Sequence, residues 1–259
     1  MGYTTMTVLG ISFIFIMTLL GALSVFCFKK EIPMKTEAIF LGFAAGVMTA
    51  ASVWSLLLPA IAQAETDWGD FAVVPAVIGF CLGGVLLSLL DCVTKKKMLL
   101  QASYVERKRA SRLFFAITLH NIPEGLAVGF AFGAAYAMHA NTAYFTALGL
   151  AIGIGLQNLP EGAAVSLSMQ TLLKNRGKSF FWGVLSGVCE PIFAAIGYFL
   201  ARELQIIQPW LLCFSAGAML FVVAEELLPA TEDENCRRKT TWGFMIGFTL
   251  MMFLDVMLG

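Results

Sequence analysis

The sequence predicts an all-α integral membrane protein with eight transmembrane helices, and three observations carry that prediction. Of the 259 residues, 59% are hydrophobic and only 13% charged, with a mean hydropathy of +0.81; a soluble domain is nearer half apolar and a quarter charged. Eight stretches are long and apolar enough to cross a bilayer, which takes roughly 20 residues. Of the 17 Lys and Arg residues, all but Arg202 are segregated onto alternate loops between those stretches.

The predicted helices follow in order. Helix 1 runs from Met6 to Phe28 and stops at Lys29-Lys30-Glu31. Helix 2 covers Glu37 to Ile61 and helix 3 Ala72 to Val93. A polar loop with Lys95-Lys96-Lys97 and Arg107-Lys108-Arg109 leads to helix 4, Arg112 to Tyr136. Helix 5 spans Thr142 to Leu172, and Lys174 to Lys178 separates it from helix 6, Phe180 to Ala201. Helix 7 runs from Pro209 to Leu228, and helix 8 follows Arg237-Arg238-Lys239 almost to Gly259. No separate soluble domain is visible, so residues 1–259 form a single membrane domain.

Basic residues set the orientation. Loops 1–2, 3–4 with the start of helix 4, 5–6 and 7–8 hold every Lys and Arg except Arg202, while the opposite side carries Glu65, Asp67 and Asp70. By the positive-inside rule the basic loops face the cytoplasm and both termini face out, in an inner or plasma cell membrane. The six cysteines form no C-x-x-C pair and lie mostly in apolar runs, which reads as buried thiols.

An internal echo adds a symmetry. Phe43-Ala44-Ala45-Gly46-Val47-Met48 in helix 2 resembles Phe214-Ser215-Ala216-Gly217-Ala218-Met219 in helix 7, and both helices end in Leu-Pro-Ala. The two helices run in opposite directions, so helices 1–3 and 6–8 read as an inverted repeat around a central helix 4–5 pair. Inverted repeats with proline-interrupted helices characterise transporters that bind substrate near the midplane.

Inside this apolar frame sits a polar hexapeptide written twice. His120-Asn121-Ile122-Pro123-Glu124-Gly125 recurs as Gln157-Asn158-Leu159-Pro160-Glu161-Gly162. The spacing i, i+3, i+4 places His120, Asn121 and Glu124 on one helical face, and likewise Gln157, Asn158 and Glu161. Each proline lacks an N–H and clashes with the carbonyl four residues back, so a kink is expected at Pro123 and Pro160. A carboxylate at membrane depth costs several kcal/mol unless something compensates for it. Counting from the last cytoplasmic cation brings Glu124, Glu161, Glu190 and Met48 to one level, about 18–20 Å along the helices. Three carboxylates there repel one another, and a divalent cation satisfies them together. Oxygen and imidazole ligands suit zinc, iron(II), manganese and cobalt.

With those residues in hand the chain resembles the Zrt/Irt-like (ZIP) metal transporters. H-N-I-P-E-G in a fourth helix and Q-N-L-P-E-G in a fifth look like the family signatures. F-A-A-G-V-M in helix 2 and C-E-P in helix 6 are similar to the GufA-like bacterial subfamily. The resemblance implies an eight-helix importer of zinc and other divalent metals, with a two-metal midplane site. Its implied ligands are His120, Asn121, Glu124, Gln157, Asn158, Glu161, Glu190 and Met48. It also implies movement of helices 1, 4, 5 and 6 against the rest, and a homodimer. Many relatives have Asp where this chain has Asn158, and others His where it has Gln157. Cys189 is expected to pack, Glu225-Glu226 to form an exit station or solvated boundary, and Asp91, Asp255 and His139 to be solvated.

The expected function is therefore transport of divalent transition metal, zinc first, with iron, manganese, cobalt and cadmium as further cargo, and not an enzymatic reaction. The expected partners are metal ions and the lipid bilayer, without nucleic acid. Two other readings use the same residues: an intramembrane metal-dependent hydrolase, and a cation-coupled transporter of an organic solute.

Overall fold

The computed structural model describes residues 2–27, 33–99, 105–138, 141–201, 205–228 and 234–258, and among them every regular element is helical. α1 (Tyr3–Leu23) ends in a 3-10 turn, Ser24–Cys27. α2 (Met34–Ala51), a π-helical segment (Ser52–Leu57) and α3 (Leu58–Trp68) run on without a break. Then come α4 (Val73–Leu99), α5 (Val105–Met138) and α6 (Asn141–Leu173). α7 (Arg176–Gly187) and α8 (Cys189–Leu200) are parted only by Val188. α9 (Gln208–Val222) passes into a second π-helical segment, Val223–Leu227, and α10 (Glu234–Leu258) closes the chain.

Six of these stretches are long and apolar enough to cross a membrane: Tyr3–Cys27, Ala38–Phe71, Leu113–Ala137, Arg176–Leu200, Gln208–Glu225 and Cys236–Met257. Val73–Leu89 in α4 is apolar but shorter. α6 has 33 residues and carries Gln157, Asn158 and Glu161 at its centre, which lowers its hydropathy; its C-terminal half is enclosed, buried almost continuously from Gly153 to Met169. The chain is an α-helical, multi-pass membrane protein.

The prolines act differently from place to place. α5 runs through Pro123 and α6 through Pro160 as continuous helix. Pro191 opens a break. It cannot donate to the carbonyl of Gly187 and its ring crowds that carbonyl, and Gly187 is where α7 ends. In α2–α3 the proline effect is absorbed by a wider turn. Pro59 has no N–H to offer Ser55, and the neighbouring Leu58 N–H bonds five residues back, to Val53. Leu228, which precedes Pro229 in sequence, likewise donates to the Val223 carbonyl at 3.0 Å. Each π-helical segment begins nine residues after the phenylalanine of its F-x-A-G-x-M stretch, at Ser52 after Phe43 and at Val223 after Phe214.

Glycine sets how closely the helices approach. The tightest pairs are α2 with α10, α4 with α9, α1 with α6, and α5 with α8. In each, one backbone lies against a glycine of the other. A Cβ on Gly46 would meet the Phe244 carbonyl, and one on Gly217 the Phe80 carbonyl. On Gly162 it would meet the Thr18 carbonyl, and on Gly125 the Glu190 carbonyl at 2.5 Å. Without a hydrophobic drive between helices in lipid, such backbone approach is what supplies packing energy. The motif glycines Gly125 and Gly162 thus seat α8 against α5 and α1 against α6, level with the polar residues.

Candidate metal centre

The two hexapeptides face each other across α5 and α6 in a crossed arrangement. The first residue of each copy contacts the glutamate of the other. His120 Nε2 lies 3.1 Å from Glu161 Oε2. Gln157 Nε2 donates to Glu124 Oε1 at 2.6 Å. His120, Glu124 and Glu161 each bring a ligand atom within 4.8 Å of the other two. All four side chains are at most 1% exposed. Helical spacing puts the three polar residues of each motif on one face, and the Gly125 and Gly162 contacts hold those faces inward.

Glu190 enters from the start of α8, just past the Val188 break. It does not join the three-residue group. Three donors surround its carboxylate instead. Thr18 Oγ1 donates to Oε1 at 3.0 Å, Asn121 Nδ2 to Oε1 at 3.0 Å, and Asn158 Nδ2 to Oε2 at 2.6 Å. Each amide nitrogen has a second acceptor: the Ser186 carbonyl at 3.1 Å for Asn121 and the Ile14 carbonyl at 3.2 Å for Asn158. Met48 is fully buried in α2, and its carbonyl accepts from Ser52 Oγ at 2.7 Å.

Five buried oxygens here accept no hydrogen bond among the described residues: Asn121 Oδ1, Glu124 Oε2, Gln157 Oε1, Asn158 Oδ1 and Glu161 Oε1. All five belong to the repeated motifs and all are acceptors. Each unmade bond to a buried polar atom costs about 1–3 kcal/mol, more for a charged one. A set of acceptors with an imidazole and no matching donors is what a cation requires.

Two residues of the site escaped sequence reading. Thr18 is one small hydroxyl in an apolar helix, with no motif around it. Met219 Sδ lies 3.9 Å from Gln157 Nε2 and 3.8 Å from Ser52 Oγ. The echo of Phe43–Met48 in Phe214–Met219 does point to it, because Met219 stands where Met48 stands. Cys189 Sγ lies 3.3 Å from the Thr118 and Ser186 carbonyls, a packing position. Asp255, expected to be solvated near a helix end, is half-buried and bound to Ser55 Oγ at 2.6 Å. The pair lines a cavity of about 590 Å³ with Gln63, Thr146, Gln208 and Leu156, the residue before Gln157. Glu225 is exposed in the second π-helical segment. His139 lies outside the described residues, as do the side chains of Asp91 and Glu226.

A helical bundle of membrane length enclosing a His–carboxylate group defines an integral membrane protein that handles metal ions. The chain belongs to the ZIP zinc transporter family, whose model matches residues 94–255. It is 33% identical to zinc transporter ZIP11 of Homo sapiens over 97% of this chain and 96% of that protein. Zinc transporter GufA of Myxococcus xanthus is also 33% identical, with 93% and 94% covered. Zinc transporter ZIPB of Bordetella bronchiseptica is 37% identical, over 97% of this chain and 81% of its own. The chain is accordingly a transmembrane transporter of divalent metal ions and not an enzyme.

Proposed function

We propose that this chain carries zinc into the cytoplasm through a site centred on His120, Glu124 and Glu161, with Gln157, Asn121 and Asn158 offering neutral oxygens. The observation that carries the reading is the set of five buried, donorless oxygens beside an imidazole. Two carboxylates cancel a divalent charge, and mixed oxygen and nitrogen ligands suit zinc, iron(II), manganese and cobalt. The same set lacks the closed Cys and His ligation of structural zinc, which fits cargo that must leave. The names of the relatives put zinc first.

The wider architecture in this proposal is a single domain over 1–259 with eight crossings and an inverted repeat. Matching π-helical segments and the matched helix pairs α2/α10 with α4/α9, and α1/α6 with α5/α8, support that symmetry. Both termini face outward in the cell membrane, on the strength of the basic loops. Every polar residue of the site except the methionines lies on α1, α5, α6 and α8, which pack pairwise on one another. In this proposal those helices form the moving unit against α2, α4, α9 and α10. The family resemblance adds a homodimer to this proposal.

Reconstituted into liposomes with zinc outside, the protein should accumulate zinc well above empty vesicles. Uptake no greater than that of empty vesicles would refute the proposal. Metal enters here through the cavity lined by Asp255 and Ser55, which reaches Leu156 beside the site. A negative group in a low-dielectric cleft concentrates cations, by a factor of about ten or more. Asp255→Asn should therefore raise the zinc concentration for half-maximal uptake by about tenfold while the maximal rate changes little. Unchanged half-saturation would remove Asp255 from the path.

A further inference from the structure

We infer that this chain holds one metal ion, not two, because Glu190 is occupied in orienting Asn121 and Asn158. This deepens the proposed transport site and rests on it. The family resemblance implies a two-metal site with Glu190, Asn121 and Asn158 among its ligands. The hydrogen bonds here leave no such place.

Each amide has two N–H groups, and each pair is fully used. Asn121 spends its pair on Glu190 Oε1 and the Ser186 carbonyl; Asn158 spends its pair on Glu190 Oε2 and the Ile14 carbonyl. Turning either amide over would press its oxygen against a carboxylate and a carbonyl at once, so the orientation is set by two partners in each case. Thr18 adds a third donor. Three of the roughly four lone-pair positions of the carboxylate are taken. Glu190 therefore sees N–H where a second ion would need oxygen.

The other end of each amide has the opposite character. Asn121 Oδ1 and Asn158 Oδ1 are buried and accept no bond. Asn121 is adjacent to His120, and Asn158 lies three residues before Glu161 on the same face. Glu190 thus acts as a positioning residue, in the way that outer partners fix the ligands of other metal sites. It reads the N–H side of two amides so that their oxygens are presented to a single ion, whose charge Glu124 and Glu161 balance. Asn158 is the residue that decides the count. An aspartate there would be the same size, would have no N–H to give, and would set a second carboxylate beside Glu190 Oε2, a pair that calls for a cation between them.

Zinc titration of the purified detergent-solubilised protein by calorimetry, with metal content counted after gel filtration, tests this. The parent should bind one zinc per chain. Asn158→Asp should bind two. Glu190→Gln should still bind one, with a Kd raised about 10–100-fold. Two zinc ions in the parent, or one in Asn158→Asp, would overturn the inference. So would a Glu190→Gln protein that elutes as the parent does yet loses a whole equivalent. If Glu190→Gln fails to fold, the counts for the parent and Asn158→Asp decide. A parent that binds no zinc at all would instead refute the transport site on which the inference rests.

Discussion

Vesicles carrying Glu124→Ala or Glu161→Ala should take up zinc at less than about 1% of the parent rate when zinc is below saturation. Loss of an outer partner alone costs about 10–100-fold in metal affinity, and these two side chains are proposed to touch the ion. They also organise each other's helix. Glu161 lies against His120 at 3.1 Å, and Glu124 accepts from Gln157 at 2.6 Å. Truncating either removes a ligand and releases the residue that faces it across α5 and α6. The double variant should be no worse than the worse single one, because the four residues act as a unit. Zinc-driven uptake is the measurement. Parent-like transport by either single variant would dismiss the site assignment. Hydrolysis of lipid by the purified parent, or solute uptake that persists after chelation of all divalent metal, would favour the two other readings of these carboxylates.

Gly21→Val should prevent the protein from being recovered as a folded, monodisperse species, whereas Gly84→Val should leave it unchanged. A Cβ on Gly21 would collide with the Leu159 carbonyl, and the Ala163 nitrogen is 3.0 Å away. Both are backbone atoms of α6 on either side of Glu161, so no side-chain rotation relieves the clash. Overpacking a well-packed core costs about 1–3 kcal/mol, and a backbone collision lies at or beyond the top of that range. The separation would also carry α6 away from Thr18 and Glu190. Gly84 has nothing within 4 Å of the corresponding position. Size-exclusion elution and thermal melting in detergent distinguish the two. Normal recovery of Gly21→Val would show that α1 and α6 do not pack through their backbones.

Much of this site was legible in one dimension. His120, Glu124 and Glu161 stand out because charge and imidazole are expensive in an apolar run and because the motif is repeated. Glu190 stands out for the same reason, at the same depth. What a linear reading could not supply is how these residues divide. Equal depth suggests that Glu190 and Met48 belong to the ion as much as Glu124 does. Side-chain hydrogen bonds set the carboxylates apart: Glu190 is ringed by Thr18, Asn121 and Asn158, while Glu124 and Glu161 keep oxygens without donors. Thr18 was invisible because a single hydroxyl in a membrane helix ordinarily bonds its own backbone, and the Ile14 carbonyl lies 3.4 Å from it, farther than Glu190. Asp255 was misplaced because position near a helix end suggests water, whereas Ser55, two hundred residues away in sequence, turns it inward.

The prolines make the same division. Sequence chemistry says that a helix must respond at each one, since an N–H is missing and a ring is in the way. Whether the response is a break at Val188, a wide turn at Ser52–Leu57, or unbroken helix at Pro123 and Pro160 depends on what packs alongside. By itself, the sequence determined the membrane class, the alternating basic loops, and which side chains are too costly to be buried without a cation. Those follow from transfer free energies and helical periodicity, which are local properties. Only the tertiary structure decided which carboxylates keep open lone pairs and which is consumed by amides. That outcome depends on helices α1, α5, α6 and α8 meeting within hydrogen-bond distance, across as many as 172 residues of chain.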